Sequence, residues 1–136
     1  MPERHVVSTF VSLVESGRFI DALHRFYHPA AVVWENRQQS RVGLDALIQN
    51  ENVMLSRFTT VKAHASQVMV DGDQVTINWA FEFSSDNTRL TLDEVAVQQW
   101  VDGQIIHERF YYDPAQLLPE AAGTAIHVDA RETTAP

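Results

Sequence analysis

Three glutamates stand where a small cavity could use them. In AVVWENRQQSRVG, residues 31–43, a β-branched and aromatic run stops at Glu35, passes through polar residues and reaches Gly43 before a new helical pattern. An acid at a strand end faces either a cavity or water, and alternation alone leaves both open. Buried, it would rise above its usual value of about 4.3 and could move a proton from a carbon beside a carbonyl. Glu94 and Glu108 lie on the two arms of the closing hairpin, which turns at Asp102 and Gly103. With Gly103 as the bulge of a three-residue loop, Ala96 lies opposite Glu108. Glu94, Ala96, Gln98 and Trp100 then share a face with Ile106, Glu108, Phe110 and Tyr112. Two glutamates on one inner face repel, so at least one should hold its proton near neutrality and serve as a donor, assisted by Tyr112 or the Trp79 indole. A one-residue slip would instead turn His107, Arg109 and Tyr111 inward and Glu108 to water. The first register is preferred because it leaves His107 and Arg109 outside and buries Phe110.

The elements that must position these groups follow from apolar spacing. Val6, Val7, Phe10, Val11, Leu13 and Val14 recur at helical spacing up to Ser16 and Gly17. Phe19, Ile20, Leu23, Phe26 and Tyr27 predict a short second helix ended by His28 and Pro29. Ala31 to Asn36 reads as a strand, and Leu44, Leu47, Ile48, Val53, Met54 and Leu55 as a third helix from about Gly43 to Phe58. From Thr60 the period becomes two: Val61 to Val70, Val75 to Phe83, Leu90 to Val101 and Gln104 to Tyr112, with turns between them. Helices followed by a meander of long strands imply an α+β domain, helices packed on one face of a bent antiparallel sheet. Trp79, Phe81 and Phe83 alternate as any core-facing strand does, and in a pocketed fold would be wall and ligand contact at once. From Pro114 the composition shifts to Ala, Thr, Pro and Gly, so 1–114 reads as the domain and 115–136 as a tail, with a short strand at Ala125–Val128.

Composition narrows the partners. The chain has 136 residues, 45% of them hydrophobic, enough for one core and too few for two. A formal charge of −8 and the lack of a basic run argue against nucleic acid. Without cysteine there is no disulfide framework or thiolate chemistry. No apolar stretch approaches the roughly 18 residues of a membrane span, and the amino end does not read as a secretory leader, so a cytoplasmic location is expected. His24 and His28 have the spacing of a zinc pair but no glutamate between them and a helix end at Pro29, so no metal is expected. Val95, Val97 and Val101, with Ala80 on the neighbouring strand, form an apolar outer face that the helices do not cover, which a two-fold homodimer would bury.

The order of elements, together with ESGRFIDALHRFYHPAAVVWEN, the Gly-led GLDALI and the closing WVDGQIIHERFYYDP, resembles the nuclear-transport-factor-two-like superfamily. Within it the chain is most similar to the SnoaL-like branch of polyketide cyclases and ketosteroid isomerases, over roughly residues 3–114. The resemblance implies a cone-shaped fold in which a curved sheet wraps three helices around one deep pocket, with dimers through the sheet's outer face. It also implies a general base at Glu35, the end of the first strand. The isomerases' oxyanion donors match Phe10 and Ala96, which donate nothing, and the cyclases' acid matches Phe110. Neither mechanism transfers whole, and fold alone does not assign function.

Two function classes remain open. One is a cofactor-free isomerase, cyclase or dehydratase in which Glu35 or Glu108 moves a proton on a small hydrophobic or ring-shaped substrate. The residues expected to touch that molecule are Phe10, Trp79, Phe81, Glu94, Gln98, Phe110 and Tyr112. The other is a non-catalytic module that uses the same cavity for binding, or the same sheet for dimerisation.

Overall fold

The computed structural model describes residues 1–118. Helix α1 (Arg4–Glu15) buries Val7, Phe10, Val11, Leu13 and Val14, the stripe its spacing predicts. It ends where Gly17 takes φ +84°, letting the Gly17 and Arg18 amides return to the carbonyls of Val14 and Leu13. Helix α2 (Phe19–Phe26) buries Ala22 and Phe26.

The first strand begins earlier than its sequence suggests. Tyr27 is not the last residue of α2 but the first of β1 (Tyr27–Glu35), with no loop between them. Pro29 is accommodated because the pairing of β1 with its neighbour shifts between Tyr27 and Val32, where a missing N–H costs no ladder bond. A two-residue strand, β2 (Arg41–Val42), then pairs back on β1, Val33 opposite Arg41. It leads through Gly43 (φ +96°) into helix α3 (Leu44–Leu55).

Strands β3 (Thr60–Asp71), β4 (Gln74–Ser85), β5 (Thr88–Val101) and β6 (Gln104–Tyr111) form the expected meander. The full sheet runs β2-β1-β6-β5-β4-β3, antiparallel except for the parallel β1–β6 pair. It is curved and unclosed, with the three helices inside the curve, an α+β architecture. Trp100, Ile77, Ile105 and Val75 are fully buried against Phe10, Phe26 and Val7 from the helices. A 3-10 helix, Pro114–Leu117, follows β6, and Gln116 holds it to β5 by accepting from the Asp93 amide (2.8 Å) and donating to the Asp93 carbonyl (3.1 Å). The strand expected at Ala125–Val128 lies outside the described residues.

The closing hairpin keeps its expected faces but not its expected partners. Its turn has two residues, Asp102 and Gly103, at φ +51° and +77°, a primed turn whose twist matches the strands. The extra residue falls later, at Ile106, between the Gln99–His107 and Trp100–Ile105 pairs. Ile105 therefore takes the buried place expected of Ile106, and Gln98 rather than Ala96 lies opposite Glu108. From His107 onward a slip of two leaves each side chain on its face, while Ile105 and Ile106 exchange theirs.

Candidate functional site

Between α1, α2, α3 and the concave face of the sheet lies a cavity of about 380 Å³. Its wall is largely aromatic and aliphatic: Phe10 and Phe19 from the first helices, Trp79, Phe81 and Phe83 from β4, Phe110 from β6. Into it come Glu94 from β5, Glu108 from β6, Glu35 from the end of β1 and Glu51 from α3, with Tyr27 and Tyr112.

Glu108 is the deepest acid, 2% exposed, and its surroundings are ordered by a chain of donors. The Trp100 indole N–H donates to Gln98 Oε1 (2.9 Å), and Gln98 Nε2 donates to Glu108 Oε2 (2.7 Å). Tyr27 donates its hydroxyl to Glu108 Oε1. Because an indole only donates, Trp100 fixes which end of the Gln98 amide is oxygen, and the other end must donate to Glu108. A proton on Glu108 is best placed on Oε1, where the Tyr27 hydroxyl can turn to accept from it, while Oε2 faces an N–H that only donates. Burial pushes the Glu108 carboxyl up to about 7; the bonds from Gln98 and Tyr27 favour the charged form and pull it down, and Glu51 pushes it up.

Glu94 rises further, to about 8, first from burial and then from the negative charges of Glu108 and Glu51. Glu51 reaches about 6 by burial, held back by Arg41. The Tyr27 phenol is raised well above its usual value by burial and by Glu108, so it is neutral at physiological pH. Near pH 7 the cavity therefore holds a carboxylic acid, Glu94, and a carboxyl poised between its two forms, Glu108. Environments that push neighbouring carboxyls apart define acid and base roles.

Glu35 faces the cavity, and both its oxygens are engaged. Arg41 of β2 pairs with Oε2, and the Tyr112 hydroxyl donates to Oε1 at 2.6 Å. The Tyr112 phenol is itself raised, by burial and by Glu94 against the pull of Arg41. Asn36, at φ +52°, turns the chain here and accepts the Tyr112 amide through its side chain (3.0 Å). Arg41 and Tyr112 thus hold Glu35 in place at the cavity's edge, and the carboxyls raised to about 7 and about 8 are Glu108 and Glu94.

Of the residues the sequence singles out, Phe10, Glu35, Trp79, Phe81, Glu94, Glu108, Phe110 and Tyr112 line the cavity. Gln98 does not. It is 1% exposed, with both ends of its amide spent on Trp100 and Glu108, and it touches the cavity only through Glu108. His107 and Arg109 lie on the outer face, the Arg109 guanidinium 4.9 Å over the Trp34 ring and His107 edge-on to that ring at 5.6 Å. Tyr27, Arg41 and Glu51 are site residues the sequence reading missed. Glu51 carried a legible signal: Leu47, Glu51 and Met54 follow helical spacing, placing an acid on α3's inner stripe. Among the described residues no group of three or more His, Asp or Glu side chains could hold a metal, and no helix is long and apolar enough to cross a membrane.

Comparison with known proteins places the fold. The SnoaL-like domain model matches residues 7–108. A protein from Jannaschia sp. CCS1 named as a SnoaL-like polyketide cyclase superposes with a TM-score of 0.72 at 19% identity, over 83% of this chain and 88% of its own. An LEH-like epoxide hydrolase of M. tuberculosis gives 0.69 at 15% identity, over 83% and 84%. TerC, co-crystallised with polyporic acid, gives 0.71 at 15% identity, over 85% and 94%. These likenesses are of fold. No curated protein matches the chain. With the domain model covering most of its length, the chain belongs to the SnoaL-like family of the nuclear-transport-factor-two-like fold.

Proposed function

We propose that this protein binds a small hydrophobic, ring-bearing molecule in the cavity and moves a proton on it without a cofactor, as an isomerase, cyclase or dehydratase does. The observation that carries the reading is the placing of Glu108 and Glu94 in one aromatic cavity, each holding its proton far above the usual carboxylate range. Ionised Glu108 takes a proton from a carbon beside the substrate carbonyl. The electron pair moves to the carbonyl oxygen, and Glu94 supplies that oxygen with a proton. The reverse transfers, with Glu108 returning its proton to the same or a conjugated carbon, restore both groups. Glu94 thus takes the donor role for which Phe10 and Ala96 are unsuited. That TerC, a protein of similar fold, was co-crystallised with polyporic acid supports a small-molecule ligand for this chain.

The test is exchange of the α-hydrogens of 2-tetralone in deuterium oxide, followed by proton NMR. The wild-type protein should accelerate exchange, and Glu108→Gln, which cannot accept the proton, should lose the acceleration by about 100-fold or more. Equal exchange by both proteins rejects Glu108 as base. Binding of 2-tetralone without any acceleration favours the second reading, a passive binding module, for which the apolar Phe10 and Ala96 at the expected donor positions speak.

A further inference from the structure

When the Glu108 carboxyl takes up a proton it turns from acceptor to donor, and only one of its neighbours can follow that change. Oε2 receives the Gln98 Nε2–H at 2.7 Å, and Trp100 keeps that amide from turning over, because its indole N–H occupies Gln98 Oε1 at 2.9 Å. Oε1 receives the Tyr27 hydroxyl. Tyr27 opens β1, with its ring 6.1 Å from that of Phe10, and it lines the cavity although it is only 6% exposed. A hydroxyl both donates and accepts, so Tyr27 can answer a proton on Oε1 by turning round. Its own hydrogen then needs a new acceptor. Among the described residues Glu108 is the one group that the Tyr27 hydroxyl bonds, and a buried O–H left without a partner is costly. The cavity that Tyr27 lines is where a ligand can supply that acceptor.

We propose that Tyr27 is a further catalytic residue, a donor whose hydrogen bond moves from Glu108 to the substrate's carbonyl oxygen as the negative charge makes the same journey. The inference deepens the proton-transfer reading and rests on it. Before reaction the charge is on Glu108, and Tyr27 donates to it. Glu108 then takes the proton from the carbon beside the carbonyl: the C–H bond breaks, an O–H bond forms at Oε1, and the freed electron pair moves the charge to the carbonyl oxygen. The better acceptor is now the substrate, and the donor follows. Glu94 still gives that oxygen its proton, while the Tyr27 O–H bond stays whole. The phenol is suited to that part, since burial and Glu108, then Glu51 of α3 and Glu94 of β5, all raise it well above its usual value. A Tyr27 that merely ordered Glu108 would behave differently. Its bond favours the charged carboxyl and so weakens the base, and removing it would leave the limiting rate unchanged or higher.

The experiment has a kinetic and a binding arm. In 2-tetralone exchange, Tyr27→Phe should move the acid limb of the pH profile upward and lower the limiting rate about tenfold, the loss of one hydrogen bond to a developing charge. The binding arm uses Glu108→Gln, which copies the protonated carboxyl. Gln98 must still donate to position 108, so the new amide turns its oxygen to Gln98 and its N–H to Tyr27, and the tyrosine hydrogen is released into the cavity. Affinities for 2-tetralone and for tetralin, which lacks the oxygen, are read by NMR titration at about pH 8, where wild-type Glu108 is largely ionised. The tetralone-to-tetralin ratio should be about tenfold higher in Glu108→Gln than in the wild type, and adding Tyr27→Phe should remove the gain. An equal or higher limiting rate in Tyr27→Phe, a ratio in Glu108→Gln no higher than the wild type's, or a gain that survives loss of the hydroxyl overturns the role of Tyr27 and leaves Glu108 as base. The Glu108→Gln ratio decides by itself if Tyr27→Phe fails to fold. A wild-type protein that does not accelerate exchange overturns the proton-transfer reading and this inference with it.

Discussion

Glu108 and Glu94 differ in what surrounds them, and that difference sets the pH at which the proposed proton transfer would run. Glu108 must be ionised to accept a proton, and its value of about 7 places the acid limb of kcat/KM there. Glu94 must hold a proton to give one, and its value of about 8 places the alkaline limb. The profile should therefore be a narrow bell with its maximum between those values, its limbs belonging to the pair rather than to either residue. Gln98 gives this a sharper form. Its amide favours the charged form of Glu108, so Gln98→Met should move the acid limb upward by about one pH unit, the worth of one hydrogen bond to a charged group. A loss of packing alone would lower the rate without moving the limb. The check is a pH profile of 2-tetralone exchange for both proteins.

At the scale of elements, the hairpin that carries both acids depends on its turn. Gly103 sits at φ +77° with open space around an added Cβ, so Gly103→Ala meets no atom and is opposed by backbone strain alone. It should cost about 1 kcal/mol in urea unfolding. Exchange activity per folded molecule should survive, because Trp100 and Ile105, both fully buried, pin the register from inside. The same hairpin shows how far sequence reaches. Strand parity is a period of two carried through long strands, so the inward facing of Glu94 and Glu108 was legible even with the partner assignment two residues off. The turn type was not, since Asp-Gly serves a two-residue turn and a bulged loop alike. Strand β2 has two residues, too few to show any period, and with it Arg41's pairing to Glu35 stayed hidden. Tyr27 was hidden for another reason: apolar helical spacing ran through it, and only the tertiary pairing of β1 with β6 decides that the helix stops at Phe26. Glu51 sits on α3 among apolar residues, so apolar spacing alone defines the helix without picking it out.

For the molecule as a whole, one face remains to be explained. Opposite the cavity, Met69, Thr76, Val97, Arg109 and Trp34 lie in register across β3, β4, β5, β6 and β1. Met69 and Val101 are nearly half exposed, and Tyr111 is about as open. Among the described residues no helix covers this face, and apolar groups left to water gain by being buried against a second copy; a stable two-fold contact needs roughly 800 Å² from each partner, an area a six-stranded sheet can supply. The proposed homodimer therefore predicts a single species of twice the chain mass in sedimentation velocity at micromolar concentration. Val97, at the middle of the row, is the place to break it. Val97→Asp would bring a carboxylate from each partner into an apolar contact and leave the cavity wall untouched, so it should yield monomers that still bind 2-tetralone. A wild-type monomer would remove the dimer and require another partner for the valine face. Monomers that lose binding would instead make the sheet's outer contact a condition of the cavity's shape, joining assembly to function through the curvature of one sheet.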